Sequence, residues 1–223
     1  MPTTAEENYL KAIFKLSGEL RRSVSTNDLA DELNSKASSV TDMLKKLHEK
    51  KWVKYQPYQG AVLSRKGHFI AANVVRKHRL WEVFLVNKLN FNWDEIHDIA
   101  EQLEHIVDEK LIQRLDEFLG FPEVDPHGDP IPKSDGSIKH HKNKTLYDLL
   151  PGESAELVGL KEHESEFLQY LDGISLKPGA TIKLIKRFSY DQSVVIAINN
   201  GAELMISQHV SRLLLVRRTK VIP

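Results

Sequence analysis

The sequence has no cysteine, only three methionines and no apolar run approaching the roughly eighteen residues a membrane-spanning helix needs. The missing cysteines exclude disulfides, thiolate zinc sites, iron–sulfur clusters and cysteine nucleophiles. Nothing repeats internally, and no tract is of low complexity. The start, Met1-Pro-Thr-Thr-Ala-Glu-Glu, lacks the basic and apolar regions of a secretory signal, so a cytoplasmic location and no membrane partner are expected. Missing too are a serine nucleophile elbow and a phosphate-cradling glycine loop. The Glu-x-x-His pair of helical di-iron bundles is absent, because Glu101 is followed three residues later by Glu104. These absences argue against an enzyme and against a small organic substrate.

What is present is an ordinary globular composition, 41% apolar and 28% charged over 223 residues. Its formal net charge of zero is unevenly spread: residues 1–76 carry +5, residues 77–128 carry −7 and the remainder +2. A basic first third suits a polyanion, and an acidic, histidine-bearing middle suits cations. Solvated helix faces would give the same counts, so charge alone leaves both readings open.

Periodicity divides the chain into three parts. Residues 1–72 read as helix (Glu7–Leu16), helix (Thr26–Leu33, N-capped by Ser25 with Asp28 in the capping-box position), helix (Ala37–Lys50) and a hairpin around Pro57–Gly60. Residues 73–132 read as long helices, about Lys66–Lys88 (beginning just inside the first part), Asp94–Ile106 and Glu109–Leu119, followed by a stretch too rich in proline to be helical. Residues 133–148 read as a polar linker. Residues 149–223 change to short strands (Glu153–Leu160, Thr181–Arg187, Val194–Asn199, Glu203–Ser207, Leu213–Arg217) with one helix, Ser165–Asp172, which suggests a small SH3-like barrel. The expected fold is therefore mainly α with a small β C-terminal domain.

Helix, turn, helix, hairpin is the order of a winged helix-turn-helix, whose second paired helix enters the major groove. That helix opens with Lys36, Ser38, Ser39, Thr41 and Asp42, small hydroxyl residues that let a helix N-terminus approach phosphate. Lys45 and Lys46 follow, Thr26 opens the preceding helix, and Tyr58 sits where a wing tip would be. Asp42 suits DNA only if it accepts from a cytosine amine. The competing reading is a three-helix protein–protein module in which the serines are caps.

The acidic middle carries a second pattern. At about 100° per residue, His97, Glu101, Glu104 and His105 share one helical arc, apart from the apolar stripe of Ile96, Ile99, Ala100, Leu103 and Val107. His78 and Glu82 form an i, i+4 pair on the preceding helix, and His127 follows in the proline-rich loop. Imidazoles and carboxylates without thiolates suit Mn(II) or Fe(II) better than structural zinc. The remaining histidines, His48, His68 and His209, read as structural or surface groups, and His140 and His141 as linker.

The runs Arg76-Lys-His-Arg-Leu-Trp-Glu82, His97-x3-Glu101-x2-Glu104-His105 and Asp125-Pro-His-Gly-Asp-Pro-Ile-Pro132 resemble the diphtheria toxin repressor family of iron- and manganese-responsive transcription regulators. Glu7-Asn-Tyr-Leu10 and Ala37-Ser-Ser-Val-Thr41 match as well. The resemblance covers the whole chain, including an SH3-like (FeoA-like) third domain of the kind longer members carry. It implies a homodimer on a double-stranded DNA operator, control of metal-uptake genes, and one or two ions per subunit. It implies a first site of His78, Glu101, Glu104, His105 and Asn8, and a second of Glu82 and His127 with Asp125 or His97; His163 or Glu166 would contribute from the third domain. Manganese sensors of the family carry Asp and Glu at the positions of Asn8 and Glu101, and iron sensors carry Met and Cys. Glu101 thus points to Mn(II), with Fe(II) as the alternative, while Asn8 matches neither pattern. Lys11 stands where a manganese sensor can carry another carboxylate. A winged-helix regulator gated by something other than metal is the remaining rival.

Overall fold

The computed structural model describes residues 1–18, 21–139 and 143–218, so His140 and His141 lie outside the described residues. The chain divides into two compact units: residues 1–81, 100–120 and 131–139, and residues 82–99, 121–130 and 140–223.

The first unit opens with α1 (Thr4–Ser17), started by a full capping box in which Thr3 and Glu6 satisfy each other's backbone N–H groups. Next come α2 (Thr26–Glu32), where Ser25 accepts from the Asp28 N–H, and α3 (Ala37–Glu49). Strands β1 (Val53–Gln56) and β2 (Gly60–Leu63) form the antiparallel hairpin, and Val24 bridges Ala61 beside it. Gly60 has no substitute there: its φ is +84°, and a Cβ would lie 2.4 Å from the Val24 carbonyl oxygen. Leu10, Ile13, Leu29, Val40, Leu44 and Leu47 are fully buried together, as their helical spacing requires. Truncating one of these leucines to alanine would cost about 2–5 kcal/mol.

Helix α4 (Arg65–Leu89) begins in the first unit and ends in the second. Helix α5 (His97–Leu103) is shorter than the periodicity suggests, which corrects the expected span of Asp94–Ile106. Before it, the Asn92 N–H donates to the Glu95 carboxylate and the Glu95 N–H to the Asn92 carbonyl, so residues 92–95 close a turn instead of a helix. After it, the Glu104 N–H completes the last helical bond to Ala100 and the Ile106 N–H tightens onto Leu103. Glu104 and His105 therefore leave from the end of a helix rather than from its face. Helix α6 (Glu109–Phe118) follows, capped by Asp108.

In the second unit a six-stranded antiparallel sheet has the order β3-β8-β4-β5-β6-β7. Its strands are β3 (Lys144–Thr145), β4 (Ser154–Leu160), β5 (Thr181–Arg187), β6 (Val194–Ile198), β7 (Glu203–Ile206) and β8 (Leu214–Arg218). The two-residue β3 and helix α8 (Gln208–Leu213) carry too little periodicity to be read from sequence, and α7 (Ser165–Gly173) lies where a helix was expected. Register shifts at Leu157/Gly159 and Leu184/Lys186 add twist, which bends a short sheet around its apolar side. Leu157, Leu171, Ile182, Leu184 and Ile196 fill that core. No helix among the described residues is long and apolar enough to cross a membrane.

Candidate metal centres and nucleic-acid interface

The first cluster belongs to the first unit and draws on three elements. Helix α4 supplies buried His78, and the end of α5 supplies Glu101 and fully buried Glu104. Ligand-type atoms of these three residues all lie within 4.8 Å of one another. His78 Nδ1 is 2.6 Å from Glu104 Oε2. Helix α1 presents Glu7, Asn8 and Lys11, three residues within one turn of each other. Glu7 Oε2 is 2.6 Å from His105 Nδ1, and His105 Nε2 lies 3.6 Å from Glu104 Oε1. The Lys11 ammonium donates to Glu101 Oε1 at 2.7 Å and Glu104 Oε2 at 2.6 Å, and it stands 3.4 Å from His78 Nδ1. Two buried oxygens here, Glu104 Oε1 and Asn8 Oδ1, have no hydrogen-bond partner. A buried acceptor left unpaired costs roughly 1–3 kcal/mol, so these atoms mark a place built for something else. Nearby, burial pushes the Lys77 ammonium down from its ordinary value, and the charges of Glu7 and Glu104 partly restore it.

The second cluster belongs to the second unit. Glu82, Asp125 and His127 are all buried, with ligand-type atoms within 4.8 Å of one another. A tight turn carries the last two: Asp125 Oδ1 accepts from the His127 and Asp129 N–H groups, and the Asp125 N–H donates to the Asp129 carbonyl. His127 Nε2 lies 2.9 Å from the Trp93 carbonyl oxygen, which can only accept. Nε2 therefore donates to that carbonyl, and Nδ1 is turned toward Glu82 Oε1 at 3.9 Å. Exposed His97 places its Nδ1 at the same distance from that oxygen. The His163 ring lies 5.0 Å from the His127 ring, whereas Glu166 is exposed on the first turn of α7. Among the described residues, Glu166 joins no group of three or more ligand-type side chains.

Both donor sets fit a hard or borderline divalent ion: carboxylate oxygens and imidazoles, with the orphaned oxygens of Glu104 and Asn8 in the first. The residues that sequence reading grouped on one helical arc are thus sorted differently. Glu101, Glu104 and His105 gather with His78 and Glu7, and His97 pairs with Glu82. Glu7's contact with His105 and the central place of Lys11 are the strongest features that motif matching underweights. Their spacing on α1, four residues apart on one face, is the signal that could have found both.

The DNA-facing candidates lie in the first unit. The N-cap of α3 is Lys36, which makes no side-chain capping bond, so the serines are not caps. Ser38 and Ser39 are exposed in the first turn, whose N–H groups have no side-chain partner and suit an anion. Thr41 is half-buried and its hydroxyl donates to the Ala37 carbonyl, while Thr26 is half-buried at the start of α2. Lys45 and Asp42 form an exposed pair at 3.4 Å. Tyr58 is fully exposed at the hairpin tip with φ +66°. Lys46 is drawn the other way: with Lys50 it contacts buried Glu6 of α1, at 3.0 and 2.6 Å. Burial raises the Glu6 pKa, but hydrogen bonds from Lys50, the Thr3 N–H and Lys46 outweigh it and bring it to about 2. Elsewhere, His48 accepts from the Tyr55 N–H, and the His68 ring packs 5.1 Å from Phe14.

A winged helix-turn-helix whose first helix also faces a divalent-ion cluster defines a class: DNA-binding regulators gated by a metal. Comparison with known proteins specifies it. Family models of the iron dependent repressor match residues 1–61 (N-terminal DNA binding domain) and 64–133 (metal binding and dimerisation domain), and the FeoA domain matches residues 144–218. An uncharacterised HTH-type transcriptional regulator of Methanocaldococcus jannaschii is 37% identical over 51% of this chain and 90% of its own length. The HTH-type transcriptional regulator MntR of Geobacillus thermodenitrificans is 32% identical over 56% of this chain and 87% of its own. Among solved structures, a manganese-dependent transcriptional repressor in complex with manganese matches at 32% identity and TM-score 0.86, over 96% of this chain and 100% of its own. The manganese regulator SloR matches at 32% identity and TM-score 0.72, over 96% and 98%. The chain belongs to the iron-dependent, or diphtheria toxin, repressor family. It is a metal-responsive, DNA-binding transcriptional repressor.

Proposed function

We propose that Mn(II), rather than Fe(II), is the activating ion, and that the active form is a homodimer on an operator controlling metal-uptake genes. The observation that carries the choice of ion is the first cluster, whose donors are all oxygen and imidazole nitrogen with Glu101 in the set. The similar structures named for manganese support the same reading. Residues 1–72 would read DNA, residues 73–132 hold the ions and the dimer contact, residues 133–148 link, and residues 149–223 form the FeoA-like domain.

His78, Glu101, Glu104 and His105, with Asn8 and Glu7 from α1, would hold the first ion. Glu82, Asp125 and the Nδ1 of His127 would hold the second, with His97 or His163 completing it. A bound divalent ion supplies positive charge that several anionic and imidazole groups can share. The chain's own part is transmission. Helix α1 offers one face to the cluster through Glu7, Asn8 and Lys11, and through Glu6 it grips Lys46 of α3 and Lys50 at that helix's C-cap. An arrangement of α1 favoured by the ion therefore also fixes α3, and a coupling of about 1–3 kcal/mol changes DNA affinity about 5- to 150-fold. Lys36, Ser38, Ser39, Thr41, Asp42 and Lys45 of α3, Thr26 of α2 and Tyr58 of the wing would then meet the duplex.

The test is selection of sheared genomic DNA by the purified chain with Mn(II), with Fe(II) under anaerobic conditions, and with chelator. Discrete promoters are expected with Mn(II) only. Enrichment under Fe(II) alone reverses the choice of ion, and equal enrichment with chelator removes metal gating.

A further inference from the structure

Lys11 occupies the middle of the first cluster. Its ammonium lies within 2.7 Å of one oxygen from each of Glu101 and Glu104 and 3.4 Å from His78 Nδ1. These are the three residues whose ligand-type atoms converge. Its side chain is only 17% exposed, so the contact is a seated one and not a surface ion pair. Hard divalent ions bind oxygens at about 2.0–2.6 Å. An ion at that distance from Glu101 Oε1 and Glu104 Oε2 and an ammonium already bonded to the same oxygens cannot share the space, and their like charges repel.

We propose that Lys11 is a tethered competing cation: it closes the first cluster in the metal-free protein and must swing out for a divalent ion to enter. The proposal rests on the metal-site reading above and concerns what sets its threshold. Two consequences follow from the geometry. Without metal, the fully buried Glu104 carboxylate is neutralised by a residue of α1, so the acidic cluster does not repel itself apart. With metal, the ion must outcompete an intramolecular partner, so the concentration needed for activation is higher than the donor set alone would demand. The lysine stem of four methylenes makes the exit feasible, because rotation about its own side-chain bonds can carry the ammonium to water.

The experiment uses the full chain: wild type, Lys11→Met, Lys11→Arg and Glu104→Ala. Mn(II) affinity is measured by calorimetric titration and thermal melting is followed with and without Mn(II). Removing a charge-assisted competitor of this kind should lower the Mn(II) Kd of Lys11→Met between about tenfold and a hundredfold. It should also lower the metal-free Tm and widen the gap between the metal-free and loaded melts. Lys11→Arg, which keeps the charge, should stay near wild type. An unchanged or weakened Kd in Lys11→Met, or equal tightening in Lys11→Arg, overturns the proposal. If Lys11→Met does not fold without metal, wild-type lysine acetylation read by mass spectrometry decides: Lys11 should be protected without Mn(II) and reactive with it, and equal protection overturns the proposal. Failure of the underlying reading looks different, because wild type and Glu104→Ala would then bind Mn(II) alike.

Discussion

Glu104 and Glu82 are both buried glutamates facing histidines, yet their surroundings differ. Glu104 is reached by an ammonium from another helix, retains one oxygen without a partner, and gathers residues from α1, α4 and the end of α5. Glu82 faces His97 and a turn whose geometry is already locked: Asp125 is spent on backbone N–H groups through one oxygen, and the Trp93 carbonyl fixes His127. A cluster assembled from separate helices, one of them leading to α3, is suited to switching. A cluster preset by a five-residue turn is suited to holding. The difference lies in what surrounds the candidate ligands, since the side chains themselves are nearly the same.

Four substitutions would break or sharpen that contrast. The largest effect is expected from Glu104→Ala: fluorescence anisotropy on an enriched promoter should show the Mn(II)-dependent gain in DNA affinity, about 5- to 150-fold, disappear. His127→Ala should instead remove one ion per chain by elemental analysis and leave most of that gain in place; equal loss of DNA response in the two variants would erase the distinction. Glu6→Gln should destabilise the protein by about 1–2 kcal/mol in chemical denaturation, a figure kept low because Lys46 and Lys50 are partly solvated. Because the folded carboxyl titrates at about 2 against an ordinary 4.5, its contribution is complete above about pH 4.5 and is lost as pH falls toward 2. The variant's deficit should shrink over that window. The smallest effect on the fold is expected from Tyr58→Ala, which should weaken DNA binding with or without Mn(II) and leave the melting temperature within about 1 °C, since an exposed tip residue carries little stability.

Much of this was legible beforehand. The winged-helix order and the strand positions of the β domain follow from period and turn chemistry; the acid and histidine residues of the middle segment stand out by helical spacing, and the family resemblance divides them into two candidate sets, without Glu7 or Lys11. What escaped has a common physical origin. Helical arc places His97 with Glu101, and both do lie on α5, but their tertiary neighbours differ: His97 faces Glu82, whereas Glu101 meets Lys11 and gathers with His78 and Glu104. The role of Lys46 depends on Glu6, forty residues away in sequence, and no local pattern announces a buried carboxylate with two lysines. Lys11 reads as a departure from the family's ligand pattern; only the tertiary fold shows its ammonium among His78, Glu101 and Glu104.

Gly128 gives the second cluster an unexpected dependence on chain length. The residue takes φ +91°, and a Cβ on it would lie 2.1 Å from the Val158 carbonyl oxygen and 2.3 Å from the Gly159 Cα, so the turn bearing Asp125 and His127 lies flush against β4. The His127 carbonyl also accepts the Leu160 N–H. About half of this chain accounts for most of the length of the M. jannaschii and G. thermodenitrificans regulators. A chain that stops before β4 has no such backing for the turn. Proteolytic removal of the β domain would therefore take away the wall of the second candidate cluster as well as a domain.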